Sequence, residues 1–158
     1  MTISKENPLF VVDAKTENKS ECKSKESVWY KDGLKFGCTQ CGMCCTGAPG
    51  AVWVSLDEIQ NIAEYLKISI NDFVQGYLRK IDGRWALLED FENFDCIFLK
   101  DKKCSIYPVR PSQCKTFPWW QKNLESKEAW QEASRFCEGI RDDADTVSLD
   151  EIERNLKV

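Results

Sequence analysis

The sequence predicts a small α+β domain, with short strands and cysteine-bearing loops at its centre and helices at its periphery. Three observations predict it. In a chain of 158 residues, hydrophobic residues make up 42% and charged residues 30%, the balance of one domain with its own core. Two stretches opening at Ser55 and Ser69 carry apolar residues at the helical period. The remaining apolar runs are short and are cut by Gly, Pro and Asp-Gly signals, which suits hairpins and loops. Residues 1–27 read as a poorly ordered arm, 28–139 as the folded cysteine-bearing domain, and 140–158 as an acidic tail with a short helix.

The arm from Lys15 to Ser27 is Lys, Glu, Ser, Asn and Thr, with almost nothing to bury. It contains Cys22, which reads as a free exposed thiol. Val28-Trp29-Tyr30 begins the fold as a short strand, and Lys31-Asp32-Gly33 is a turn. Leu34 to Phe36 leads into a cysteine-rich loop, and Ala51 to Val54 leaves it as a strand or extended segment. Ser55-Leu56-Asp57-Glu58 is a capping box for a helix burying Ile59, Ile62, Ala63 and Leu66. A second helix, from Ser69, turns Phe73, Val74, Tyr77 and Leu78 inward. Asp82-Gly83 suits a type I′ hairpin with Trp85–Leu88 as the return strand.

Phe94 to Leu99 reads as a strand carrying Cys96, and Lys100 to Lys103 as a charged turn. Cys104 to Tyr107 resumes the strand until Pro108 and Pro111 forbid it. Pro111 suits the first turn of a short helix holding Cys114. Ser126 caps a helix through Phe136, with Cys137 at its end and Gly139 beyond. Ser148-Leu149-Asp150-Glu151 is a second capping box.

Composition excludes several classes of function. The net charge of −4 gives no global drive toward nucleic acid. No apolar run approaches the roughly 20 residues of a membrane helix. Met1 to Phe10 has no secretory pattern, so the default compartment is a reducing cytoplasm. There, nine cysteines read as ligands rather than disulfides. Histidine is absent, so a metal site must use sulfur, oxygen or water.

Four thiols crowd into Cys38-Thr39-Gln40-Cys41-Gly42-Met43-Cys44-Cys45, with glycines letting the backbone turn tightly. The first three have the C-x-x-C-x-x-C spacing that opens bacterial ferredoxin patterns. Zinc knuckles instead use two separated C-x-x-C pairs, and no second pair follows. Adding Cys96, Cys104, Cys114 and Cys137 gives eight candidate ligands, enough for two four-ligand sites or for one plus structural thiols. Cys44 and Cys45, being adjacent, are expected to diverge. A redox dithiol lacks its strand-and-long-helix context.

Thiolate centres carry negative charge and need nearby cations. Cys96 to Lys122 supplies Lys100, Lys102, Lys103, Arg110, Lys115 and Lys122 against Asp101 alone. Arg110 stands out, because Tyr107, Pro108 and Pro111 hold it in a stiff segment. Phe117-Pro118-Trp119 is placed to shield the site. The interleaved aromatics also permit nucleic-acid binding, but aromatics near turns are more often core.

The cysteine loop, Asp95-Cys96-x-Phe98-Leu99, Cys104-x-Ile106-Tyr107-x-x-Arg110-Pro111-x-x-Cys114-x-x-Phe117-Pro118 and the final Cys137 together resemble the YkgJ-like cysteine-cluster family. The resemblance spans about residues 36–139. It implies a zinc- or iron-chelating domain. A similar cluster in flagellin lysine N-methylases is linked to an iron–sulfur cluster, which tilts the expectation toward iron, [4Fe–4S] in particular. Methyl transfer is not implied, since no Gly-x-Gly-x-x-Gly loop follows a strand.

The expected function is therefore an iron–sulfur protein in electron transfer, redox sensing or support of a partner enzyme. Its rivals are a zinc-stapled interaction module and an iron–sulfur-dependent enzyme. A protein partner is expected, and no catalytic residue is assigned.

Overall fold

The structure, a computed structural model, describes residues 28–47 and 49–157. The arm and Cys22 lie outside them. The described residues form three two-stranded antiparallel sheets and six α-helices, arranged around two hydrophobic cores.

The first core is built by residues 52–109. Helix α1, Leu56–Leu66, starts on the expected capping box: the Glu58 N–H donates to Ser55 Oγ, and the Ser55 N–H donates to Glu58 Oε2 at 2.7 Å. Its apolar face buries Ile59, Ile62 and Ala63. Helix α2, Ile70–Tyr77, is capped by Ser69 and buries Phe73. Leu78, expected on the same helix, instead begins β2, Leu78–Ile81, with extended backbone, and is still buried. Strand β3, Arg84–Leu87, returns through Asp82 and Gly83, whose φ values of 47° and 82° are those of a type I′ turn. Tyr77, Phe73 and Phe98 form a triangle of near-parallel rings, with centroids 5.4, 5.2 and 6.2 Å apart.

The strand expected over Phe94 to Leu99 shrinks to a single bridge, Cys96 to Glu89. Local side-chain bonds compete with pairing. Asp90 accepts from the N–H groups of Glu92 and Asn93, Asn93 accepts from that of Asp95, and Phe94 is left-handed at φ 60°. The ladder resumes only at β4, Leu99–Lys100, and β5, Lys103–Cys104, joined by the expected charged turn.

The second core joins the two ends of the described chain. Strand β1, Leu34–Lys35, pairs with β6, Thr146–Val147. Helices α3, Ser112–Lys115, α4, Gln121–Leu124, and α5, Lys127–Ser134, lie between. Helix α5 ends two residues short of Phe136, which is 60% exposed and gains nothing from continuing the helix. Tyr30, Trp119, Leu124, Trp130 and Ile152 pack together.

Val28 to Tyr30 is a turn, not the expected strand. The N–H groups of Lys31 and Gly33 donate back to the carbonyls of Val28 and Tyr30, and the Trp29 indole donates to the Leu124 carbonyl at 2.7 Å. The side chains anchor the segment, so it has no ladder partner. Residues 140–157 carry β6 and helix α6, Leu149–Leu156, whose Ile152 is fully buried. Among the described residues no helix is long and apolar enough to cross a membrane.

Candidate metal centre

All eight described cysteines line one cavity of about 100 Å³. Leu87, Phe98 and Ile106 of the first core and Phe36 of the second also line it, so it sits where the cores meet.

Backbone contacts bring the thiols there from distant parts of the chain. Gly42 adopts φ 76° and opens a 3₁₀ turn, Met43–Cys45. A side chain at Gly42 would meet the Lys102 carbonyl, so the loop lies hard against the β4–β5 turn. The Cys96 N–H donates to the Cys45 carbonyl at 2.8 Å. At the other end, the Gly37 N–H donates to the Gly139 carbonyl at 2.9 Å, holding the segment after Cys137 beside the start of the loop. A Cβ at Gly139 would stand 2.8 Å from the Gly37 carbonyl oxygen. Glu89 closes the loop's far end by accepting from the Gly50 N–H at 3.1 Å while pairing with Arg79 at 2.6 Å.

The thiols differ in their surroundings. Cys45 donates toward Cys44 and Cys104, which raises its own pKa and lowers theirs to about 7 and about 6. Cys44 and Cys45, expected to diverge, both line the same cavity from one 3₁₀ turn. Burial, then the charge of neighbouring thiols, pushes Cys114 up to about 12. Burial also raises Cys96 and Cys137. The Tyr107 hydroxyl donates to Cys38 Sγ at 3.6 Å. The Arg110 guanidinium lies 3.8 Å from the Tyr107 ring centroid and lowers the cost of thiolate at Cys44 and Cys104.

Tyr107, Arg110, Lys115 and Phe117 all line the cavity, and among the described residues no carboxylate does. Trp119, expected as part of the shield, instead stacks on Trp130 in the second core, 5.3 Å between centroids. Two positioning residues have no signal in the sequence. Gln113 accepts from the Trp53 N–H and donates to the Ala51 carbonyl, both at 3.0 Å, pinning α3 to the segment after the loop. Glu58 accepts from the Ser112 N–H at 2.6 Å, tying α1 to the same helix. A glutamine or a capping glutamate looks ordinary until its distant partner is known.

As the side chains stand, no three Cys, Asp or Glu groups among the described residues converge closely enough to hold a metal ion. The thiols share a wall, and each is aimed by rotation about one χ1 bond. The lining nonetheless fits a soft metal: among the described residues, thiols, two cations and no competing carboxylate line the cavity.

An α+β frame that gathers eight thiols around one cavity defines a cysteine-cluster metal-binding domain. Residues 37–138 match the CxxCxxCC family, described as "Putative zinc- or iron-chelating domain", and the chain belongs to that family. It is also similar to uncharacterized protein MJ0661 of Methanocaldococcus jannaschii, 37% identical over 92 residues, 57% of this chain and 48% of that protein. The chain thus spans about half the length of this curated relative. No solved structure matches it.

Proposed function

We propose that the cavity carries an iron–sulfur cluster on cysteine thiolates, serving electron transfer, redox sensing or a partner enzyme. The observation that supports this reading is the sharing of one cavity by all eight described cysteines. Cys38, Cys41 and Cys44 have the ferredoxin spacing, and Cys96, Cys104 and Cys114 stand in the same cavity wall to complete the ligand set. Arg110 and Lys115 offset the negative charge of the thiolates, and Phe117 limits water. Such a cluster supplies one-electron transfer. A protein with this many free thiols belongs in a reducing cytoplasm.

A zinc reading draws on a different observation. Cys45 interacts with both Cys44 and Cys104, and Cys96 is close enough to influence them. Brought together by side-chain rotation, these four thiolates would suit a closed tetrahedral zinc site. Purification without oxygen from iron-replete cells separates the two. The cluster reading expects brown protein containing iron and acid-labile sulfide; colourless protein with stoichiometric zinc overturns it.

A further inference from the structure

A groove of about 710 Å³ runs along the far side of α3 from the thiols. Pro111, Cys114 and Lys115 line the thiol cavity, whereas Ser112, Gln113 and Thr116 line the groove. An occupant would therefore sit one short helix from the metal centre. The groove contains three tryptophans, and each carries a cation. Arg84 lies 4.1 Å from the Trp53 ring centroid, Lys80 5.4 Å from that of Trp85, and Lys122 5.1 Å from that of Trp120. Among the described residues none of these cations has a salt-bridge partner.

The polar groups of the wall are already engaged. Both Glu58 oxygens accept backbone N–H groups, from Ser55 and Ser112. The Gln113 side-chain amide is spent on Trp53 and Ala51, and the Trp120 indole donates to the Gln113 carbonyl. What remains for a ligand is apolar surface and the charge of the cations, with the Glu58 carboxylate tied up in its two N–H bonds. Leu56, 75% exposed, extends the apolar floor onto the open surface.

We infer that this groove docks a segment of a partner protein bearing carboxylates beside an aromatic or large apolar side chain. The carboxylates meet Arg84, Lys80 and Lys122, and the apolar body lies on Trp53, Trp85 and Leu56. Nucleic acid fits less well. The chain's net charge of −4 opposes a long polyanion more strongly than a short segment with a few carboxylates. Recognition here rests on charge and shape and does not depend on which metal the neighbouring cavity holds.

The test uses the full chain and three dye-labelled probes: a peptide of glutamates and phenylalanines, its lysine-for-glutamate counterpart, and an oligothymidylate. Fluorescence anisotropy should show saturable binding of the acidic peptide alone. Binding should weaken as salt rises from about 50 to about 300 mM. Arg84→Glu should weaken it by about tenfold or more, while Arg84→Lys keeps most of it. Arg84 is exposed at the start of β3, so both variants should retain the parental circular dichroism. No saturation by the acidic peptide, equal binding by Arg84→Glu, or preference for the oligothymidylate overturns the inference. Iron and sulfide are assayed on the same preparation. Colourless protein that binds the peptide refutes the cluster and leaves the groove, whereas brown protein that ignores it refutes the groove alone.

Discussion

The backbone N–H of Cys96 donates to the carbonyl oxygen of Cys45 at 2.8 Å. This bond fastens the cysteine loop to a segment on the far side of two helices and a hairpin. A metal bridging thiols from both sides would close the same long loop, so its binding free energy would become folding free energy. Metal removal should therefore loosen the whole centre. Hydrogen exchange is expected to lose protection together over residues 38–50 and 96–120. Loss confined to 38–50 would mean that the metal is held by the loop alone.

Cys104 is the thiol whose interaction with Cys45 lowers its pKa to about 6. Replacing it with serine keeps its size and removes a soft donor. Cys104→Ser should lower the metal content to less than about half that of the parent. Deleting residues 1–27, or changing Cys22→Ser, should leave it unchanged, because the arm's composition builds no core. Metal analysis of the three proteins checks both halves, and a large loss on either Cys22 variant would refute the second.

Gly42 and Gly76 make a matched pair. At Gly42 a side chain faces both φ 76° and the Lys102 carbonyl. Gly42→Ala should cost about 1–3 kcal/mol and reduce metal retention. At Gly76, in α2, nothing stands within 4 Å of an added Cβ. Gly76→Ala should stabilise by about 0.5–1 kcal/mol through helix propensity. Thermal unfolding should move the two variants in opposite directions; equal shifts would contradict the close approach at Gly42.

Glu58 links the cap of α1 to the helix that holds Cys114. Burial by itself would raise its pKa, but the N–H groups of Ser55 and Ser112 outweigh burial and bring it below 4.5. The folded-state pKa is thus depressed. Its stabilising contribution is complete above pH 4.5 and fades as pH falls through the folded value. Glu58→Gln should flatten that part of an acid-denaturation curve and cost about 1–3 kcal/mol at neutral pH. An unchanged acid limb would show that the carboxylate does not brace α3.

Much of the frame was legible before any coordinates. The caps at Ser55, Ser69 and Ser126, the Asp82-Gly83 hairpin and the Lys100 to Lys103 turn are local chemistry, decided within a few residues. The failures were places where a local reading met a competing partner. Val28 to Tyr30 is apolar enough for a strand but is drawn into a turn by its buried rings. Phe94 to Leu99 has strand residues, but their N–H groups go to scattered acceptors: Phe94 to the Asp90 carbonyl, Asp95 to the Asn93 side chain and Cys96 to the Cys45 carbonyl.

The sequence by itself determined the candidate donors: eight cysteines in a histidine-free folded region, with Arg110 and Lys115 close by in the chain. Spacing within Cys38 to Cys45 pointed to a metal because tight thiol clusters have no other local use. Only the tertiary structure decided that Cys96, Cys104, Cys114 and Cys137 line the same cavity. Their intervals follow no motif, since they are set by two cores folding against each other. The tertiary structure also decided that α3 divides a thiol cavity from a tryptophan-lined groove. The physical reason is range: turns and caps are satisfied by neighbours in the chain, whereas a cavity wall consists of groups that meet only after packing.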